Sequence, residues 1–167
     1  TNGADLALDS TAKSVTAAKV LGEVSVLVAS ADCTGAAEVA AGIEGVSKVL
    51  CANDPVYGNG LAEPVADLIV SLAESYEHIV APATNSAKNI LPRVAAILDV
   101  MVITDITAIV DVNTFERPIY AGNALQIVQS NDSKKVVSIR TANFDAAGNG
   151  GTASIENIAS VGDKGLS

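Results

Sequence analysis

The chain has 167 residues, 49% of them hydrophobic, and a formal net charge of −9, which gives a sequence pI of about 4.4. That length supports one core of ordinary domain size, and an acidic surface with ten scattered Lys and Arg repels a polyphosphate backbone, which excludes nucleic acid as a partner. A mean hydropathy of +0.38 signals no membrane span, because charges or Gly, Pro and Asn break every apolar run well short of the roughly 18 residues a spanning helix needs.

Thr1 to Asp5 is turn chemistry, and the chain then enters a helix over Ser10 to Leu21, behind Asp9, with Ala and Val on its inner face. No strand precedes that helix, so a first strand is expected to be missing. Val24 to Ala29 is apolar nearly throughout, as suits a central strand covered on both faces. A helix over Thr34 to Ala41 and a strand over Val46 to Ala52 follow. Cys33 starts that helix and Cys51 ends that strand, with no C-x-x-C pair or His cluster nearby. Two isolated cysteines make no disulfide framework, and both are expected as small buried hydrophobes in a reducing compartment.

Leu61, Val65, Leu68, Ile69, Leu72 and Tyr76 recur at three and four residues opposite Glu63, Asp67 and Glu74, an amphipathic helix over 61–76 with Pro64 in its first turn. A short strand at Ile79 to Ala81 leads to a helix from Ser86, the expected N-cap, with Ile90, Leu91, Val94, Ile97 and Leu98 on one face. Pro92 is expected to kink this helix or delay its start. From Met101 the helical period disappears. Strands at Met101 to Val110, Leu125 to Gln129 and Lys135 to Arg140 are separated by the Pro/Gly-containing stretch Arg117 to Asn123 and by the turn Asn131 to Lys134, which predicts antiparallel strands at a sheet edge. After Ala147 the Gly-rich run 148–152 and a tail of little periodicity read as a linker. The whole is an α/β domain, residues 1–147, with a doubly wound, mostly parallel sheet.

Catalytic and ligand motifs are sparse. Gly58-Asn59-Gly60 lacks the third glycine of a dinucleotide fingerprint and puts Glu63 in its place, where a carboxylate repels phosphate. Ala83 to Asn89 opens a helix after a strand, so Thr84, Ser86 and Lys88 are the best small-molecule candidates, an adenine-nucleotide phosphate site being one reading and plain helix capping the other. His78 is the one histidine and reads as a surface or boundary residue; no Ser stands in a nucleophile elbow. Neither a triad nor a zinc site has its partners, so a small hydrolase is the weakest reading. Asp99, Asp105 and Asp111 fall at element ends, where solvated charges are common.

Phe-Glu-Arg-Pro-Ile-Tyr-Ala-Gly-Asn-Ala at 115–124 and Ile-Arg-Thr-Ala-Asn-Phe-Asp-Ala-Ala at 139–147 resemble the N-terminal domain of electron transfer flavoprotein alpha subunits. So do His78 to Thr84, Lys88 to Ala96 and Thr104-Asp105-Ile106, in order and at similar spacing. The likeness covers nearly all of 1–148 and is closest to alphaproteobacterial or mitochondrial members. It implies a Rossmann-like scaffold paired with a beta subunit. The family's FAD sits on a C-terminal domain that would follow the 148–167 linker, and its AMP sits in the beta subunit, so no cofactor residue is expected here. The resemblance further implies an electron carrier and not an enzyme, passing electrons from acyl-CoA and other dehydrogenases of fatty acid oxidation to a membrane quinone oxidoreductase. It also implies a bacterial cytoplasm or a mitochondrial matrix. Both chain ends are expected to be clipped. Arg117, Tyr120 and Asn123 are candidates for a subunit or domain contact, because a Pro-restrained turn with Arg and Tyr is good interface chemistry. Local pairing of Arg117 with Glu116 or Asp111 is the alternative. The rival class is a stand-alone adenine-nucleotide-binding module.

Overall fold

The computed structural model describes residues 7–59, 62–119 and 124–160. In chain order these form α1 (Leu8–Lys19), β1 (Val24–Ser30), α2 (Thr34–Ala41), β2 (Val46–Asn53), α3 (Ala62–Leu72), β3 (His78–Pro82), α4 (Asn85–Leu98), β4 (Val102–Ile106), β5 (Ala108–Asp111), β6 (Thr114–Ile119), β7 (Ala124–Gln129), β8 (Lys135–Ile139) and β9 (Ser154–Asn157). Helices and strands alternate through the first half, as the switch between 3.6-residue and two-residue periods predicts. Three sheets result, in the orders β1-β2-β9, β3-β8-β4 and β5-β6-β7. The first two are parallel and the third is antiparallel.

Residues 135–139 are buried throughout and pair in parallel with β3 on one side and β4 on the other, so this strand, read from sequence as antiparallel, is the middle of a parallel sheet. Its apolar run is what a strand covered on both faces requires. β1, expected to be central, pairs only with β2 among the described residues. Tail residues Ser154–Asn157 pair in parallel with Lys48–Cys51 of β2, so a strand lies inside the stretch read as a linker. The backbone secures it from 148 onward: Glu44 N–H donates to Gly148 O at 2.7 Å, Gly151 N–H to Gly42 O at 3.1 Å and Ala153 N–H to Ala41 O at 3.1 Å. At Gly151 the fit is so close that a Cβ would stand 2.7 Å from the Ile43 carbonyl carbon and 2.9 Å from Ala41 O. Sequence periodicity misses β9 because an edge strand of four exposed residues has no buried face to alternate.

The run Met101 to Val110 divides at Asp105 and Thr107. Asp105 has φ 56°, and its N–H donates to Ser138 Oγ at 2.9 Å, breaking the β4–β8 register after Ile103. Asp is among the few residues other than Gly that visit this left-handed conformation. The kink sends the chain out of the parallel sheet: Thr107 N–H already donates to Glu116 O at 2.7 Å, in the antiparallel one. Arg117 to Ile119, read as part of a turn, are strand residues of β6; Pro118 is tolerated because it lies past the β5 pairing and has a partner only on β7, Leu125.

Pro92 does not delay the start of α4, which runs Asn85–Leu98 with the proline inside it. Pro92 is exposed, so the carbonyl it leaves unpaired four residues back, on exposed Lys88, is on the solvent side. The N-cap is Thr84 and not Ser86: Thr84 Oγ1 accepts from Ala87 N–H at 3.2 Å.

Packing follows these layers. α1 and α2 cover β1 and β2 through Ala12, Val15, Ala36, Ala37, Ala40, Val28 and Val49. α3 and α4 cover β8 through Ala66, Leu91, Val94 and Val136. Phe115 of β6 is fully buried and packs with Ile103, Ile106, Val137 and Ile139, fastening the antiparallel sheet to the parallel one. Cys33 and Cys51 are buried, as expected, but they are bonded to each other, which the sequence reading did not foresee. Among the described residues no helix is long and apolar enough to cross a membrane.

Candidate functional site

The antiparallel sheet carries the most unusual surface. Cross-strand partners share a face, so the pairs Ile109–Phe115 and Phe115–Val128 mark the inner side, packed on the core. The pairs Ala108–Glu116, Glu116–Ile127 and Pro118–Leu125 mark the outer side. On it Leu125 is 60% and Ile127 58% exposed, and Val110 and Val112 near the β5 end are 58% and 44% exposed. β7 pairs only with β6 among the described residues. An exposed strand edge beside an apolar face is the surface that proteins otherwise protect by charge or by covering.

Arg117 lies on the inner side, two residues from Phe115 and opposite Gln126. It is half-buried, and its Nε is enclosed without a hydrogen-bond partner. Leaving such a donor unmet costs about 1–3 kcal/mol. The local pairing with Glu116 or Asp111 does not form. Glu116 instead accepts from Thr107 Oγ1 at 3.3 Å, and Asp111 accepts from Asn113 N–H at 2.8 Å. The amide of Asn113 and the Thr114 hydroxyl hold the Asp111 carboxyl below the usual carboxylate value. Tyr120 and Asn123 lie outside the described residues.

At the junction of β3 and α4, Thr84, Ser86 and Lys88 are all exposed. The Thr84 hydroxyl is engaged in capping, its carbonyl accepts from Lys88 N–H at 3.0 Å, and its N–H donates to Pro82 O at 2.7 Å. These contacts belong to the helix start. A hollow of about 400 Å³ lies elsewhere, lined by Thr16, Lys19, Val20, Glu44, Ala147 and Gly148. It offers no aromatic ring for an isoalloxazine or an adenine, and at neither place do the residues fit a flavin. Among the described residues no cluster of His, Cys, Asp and Glu is placed to hold a metal ion. His78 Nε2 lies 2.7 Å from Val112 O, a structural contact at the sheet boundary.

A sequence model of the Electron transfer flavoprotein domain family matches residues 2–161. The chain belongs to the electron transfer flavoprotein family. It is 62% identical over 167 residues to the electron transfer flavoprotein subunit alpha of Paracoccus denitrificans, covering 100% of this chain and 54% of that protein. Against the subunit alpha of Pseudomonas aeruginosa the identity is 49% over 168 residues, covering 99% and 54%. Against the mitochondrial subunit alpha of Dictyostelium discoideum it is 44% over 158 residues, covering 89% and 44%. The chain thus spans about half the length of the curated relatives it matches. For this electron transfer flavoprotein segment, the outer face of β5–β7 was not singled out from sequence. Leu125 and Ile127 were read only as strand residues, and the alternation around them is weak because Val128 on the opposite face is apolar as well.

Proposed function

We propose that this chain is an assembly segment of an electron transfer flavoprotein alpha subunit, and that the β5–β6–β7 sheet docks the beta subunit. The supporting observation is the outer face of that sheet, where Leu125 and Ile127 stand exposed beside the open edge of β7. A partner strand added to that edge gains backbone hydrogen bonds while the apolar side chains supply burial. Arg117, on the inner side, is outside this outer-face contact, and the proposed part of Tyr120 and Asn123 in a subunit contact is carried by the resemblance alone.

In this reading the domain runs on through β9, past the boundary at 147 read from sequence, and leads toward a C-terminal half that holds FAD, while AMP belongs to the beta subunit. The segment performs no catalysis. The complete heterodimer accepts electrons from acyl-CoA and other dehydrogenases and hands them to a membrane quinone oxidoreductase, in a bacterial cytoplasm or a mitochondrial matrix. Among the described residues β1 and β3 each have one unpaired edge, where a further parallel strand would pair.

Co-expression with the beta subunit followed by size-exclusion chromatography tests the docking. Wild type co-elutes with the beta subunit, whereas the Leu125→Asp/Ile127→Asp variant elutes alone with its own melting temperature unchanged. Burying the exposed part of the two side chains is worth about 2–3 kcal/mol, a loss of roughly 30- to 150-fold in affinity. Co-elution of that variant at wild-type strength would remove the sheet from the interface.

A further inference from the structure

Cys33 and Cys51 are joined by a disulfide, with Cα atoms 6.1 Å apart and 18 positions of separation in sequence. The bond closes one crossover unit, β1–α2–β2. Cys33 precedes α2, and its N–H donates to Oδ1 of Asn53, the last residue of β2, at 2.6 Å. Cys51 stands opposite Val28 of β1, and its carbonyl accepts from Ile158 N–H of the tail at 2.9 Å. Helix, both strands and tail therefore converge on the crosslink. Both residues are buried, at 0% and 2% exposure.

We propose that this pair is a redox-responsive fastener: oxidised, it ties the start of α2 to β2; reduced, it leaves two buried thiols and lets the segment 31–41 open more often. It is independent of the docking reading. The chemistry is thiol–disulfide exchange with a small dithiol. One reductant thiolate attacks the Cys51 sulfur, forming a mixed disulfide and expelling the Cys33 thiolate. That anion leaves at the amino end of α2, where amide N–H groups favour it. The second reductant thiolate then attacks its own sulfur in the mixed disulfide and releases the Cys51 thiolate. Two electrons and two protons pass from the dithiol to the cystine, and the reductant departs as a cyclic disulfide. Glutathione disulfide runs the reverse, ending as two glutathione thiols.

Burial makes the fastener gated. No thiolate reaches either sulfur in the closed fold, so exchange proceeds at the rate set by local opening. Because the crosslink restricts the open segment more than the closed one, its removal raises the open population by about 100-fold.

The test equilibrates the full chain in glutathione buffers of graded oxidation, traps thiols with N-ethylmaleimide in denaturant and reads the mass. Oxidising buffers should leave no adduct and reducing buffers two. Hydrogen exchange read by mass spectrometry should then show peptides covering 31–41 exchanging about 100-fold faster in the reduced chain, with β3, β4 and β8 unchanged. The Cys33→Ser/Cys51→Ser variant should match the reduced chain in every buffer. Two adducts under oxidising conditions, or equal exchange of 31–41 in the two forms, would overturn the proposal. Should the double variant fail to fold, the oxidised and reduced wild-type chains alone decide.

Discussion

Phe115→Ala is the substitution whose cost follows most directly from the packing. Phe115 is fully buried, flanked on its own sheet by partly buried Ile109 and Val128 and seated on Ile103, Ile106, Val137 and Ile139 of the parallel sheet. Truncating a buried Phe costs about 3–5 kcal/mol, less where the surroundings collapse into the space. Here collapse is hindered from both sides. β8 is held by β3 and β4, while β6 is held by β5 and β7, so neither sheet can sink toward the other without breaking a ladder. The upper half of the range applies, and for a chain of this size that lowers the melting temperature by roughly 8–20 °C. Urea unfolding followed by circular dichroism should show a lower midpoint at unchanged slope. Phe115→Leu, which keeps most of the volume, should lose under about 1.5 kcal/mol. A loss below 1 kcal/mol for Phe115→Ala would mean that the antiparallel sheet is not anchored through this side chain.

Gly151→Ala should cost about 1–3 kcal/mol by overpacking against the carbonyls of Ile43 and Ala41, visible as faster hydrogen exchange at the tail amides of Ala153 and Ile158; unchanged exchange would show that the tail is not seated there. Thr84→Ala should cost about 1 kcal/mol through loss of the cap on Ala87 N–H, and calorimetric titration of AMP into wild type should give no binding heat, whereas heat that disappears in Lys88→Ala would restore the nucleotide-module reading. Asp54 accepts from Val56 N–H at 3.0 Å and from the Ser160 hydroxyl at 2.7 Å, and these bonds, the backbone one foremost, hold its carboxyl below the ordinary 3.8. Because the folded value is the lower one, the tail contact is fully present above 3.8 and is lost as pH falls through the folded value. An NMR acid titration should place the Asp54 midpoint below 3.8, and Ser160→Ala should move it upward; no movement would separate Asp54 from the tail.

What was legible in sequence was what local periodicity writes. α2 was read as Thr34–Ala41 and is found there, because small residues at helical spacing bury its Ala36, Ala37 and Ala40 face. The three-way alternation of β1, α2 and β2 was legible for the same reason. What was not legible depends on partners distant in sequence. β8 looks like an edge hairpin strand after the turn at 131–134, yet it crosses back by register to lie between β3 and β4, and nothing within residues 135–139 encodes which neighbours it will find. The number of cysteines does not encode the bond between Cys33 and Cys51, whereas their positions do. One falls just after β1 and the other near the end of its parallel neighbour β2, and a single crossover brings both to the same end of that sheet.

Asp105 connects fold to proposed function. A left-handed residue inside a strand costs about 1–2 kcal/mol, and a continuous β4 would avoid it by extending the parallel sheet. Instead the kink buries Ile106 against Phe115, releases Thr107 to pair with Glu116, and turns the next three strands out of the parallel plane. The gain that offsets the strain is visible only partly within the chain, as the buried inner side around Phe115 and Val128. The remaining product is an outer side with Leu125 and Ile127 exposed, which contributes nothing to the isolated domain. That outer side is the one on which the proposed second polypeptide would dock, and the proposed assembly role rests on the asymmetry between the two faces of one sheet.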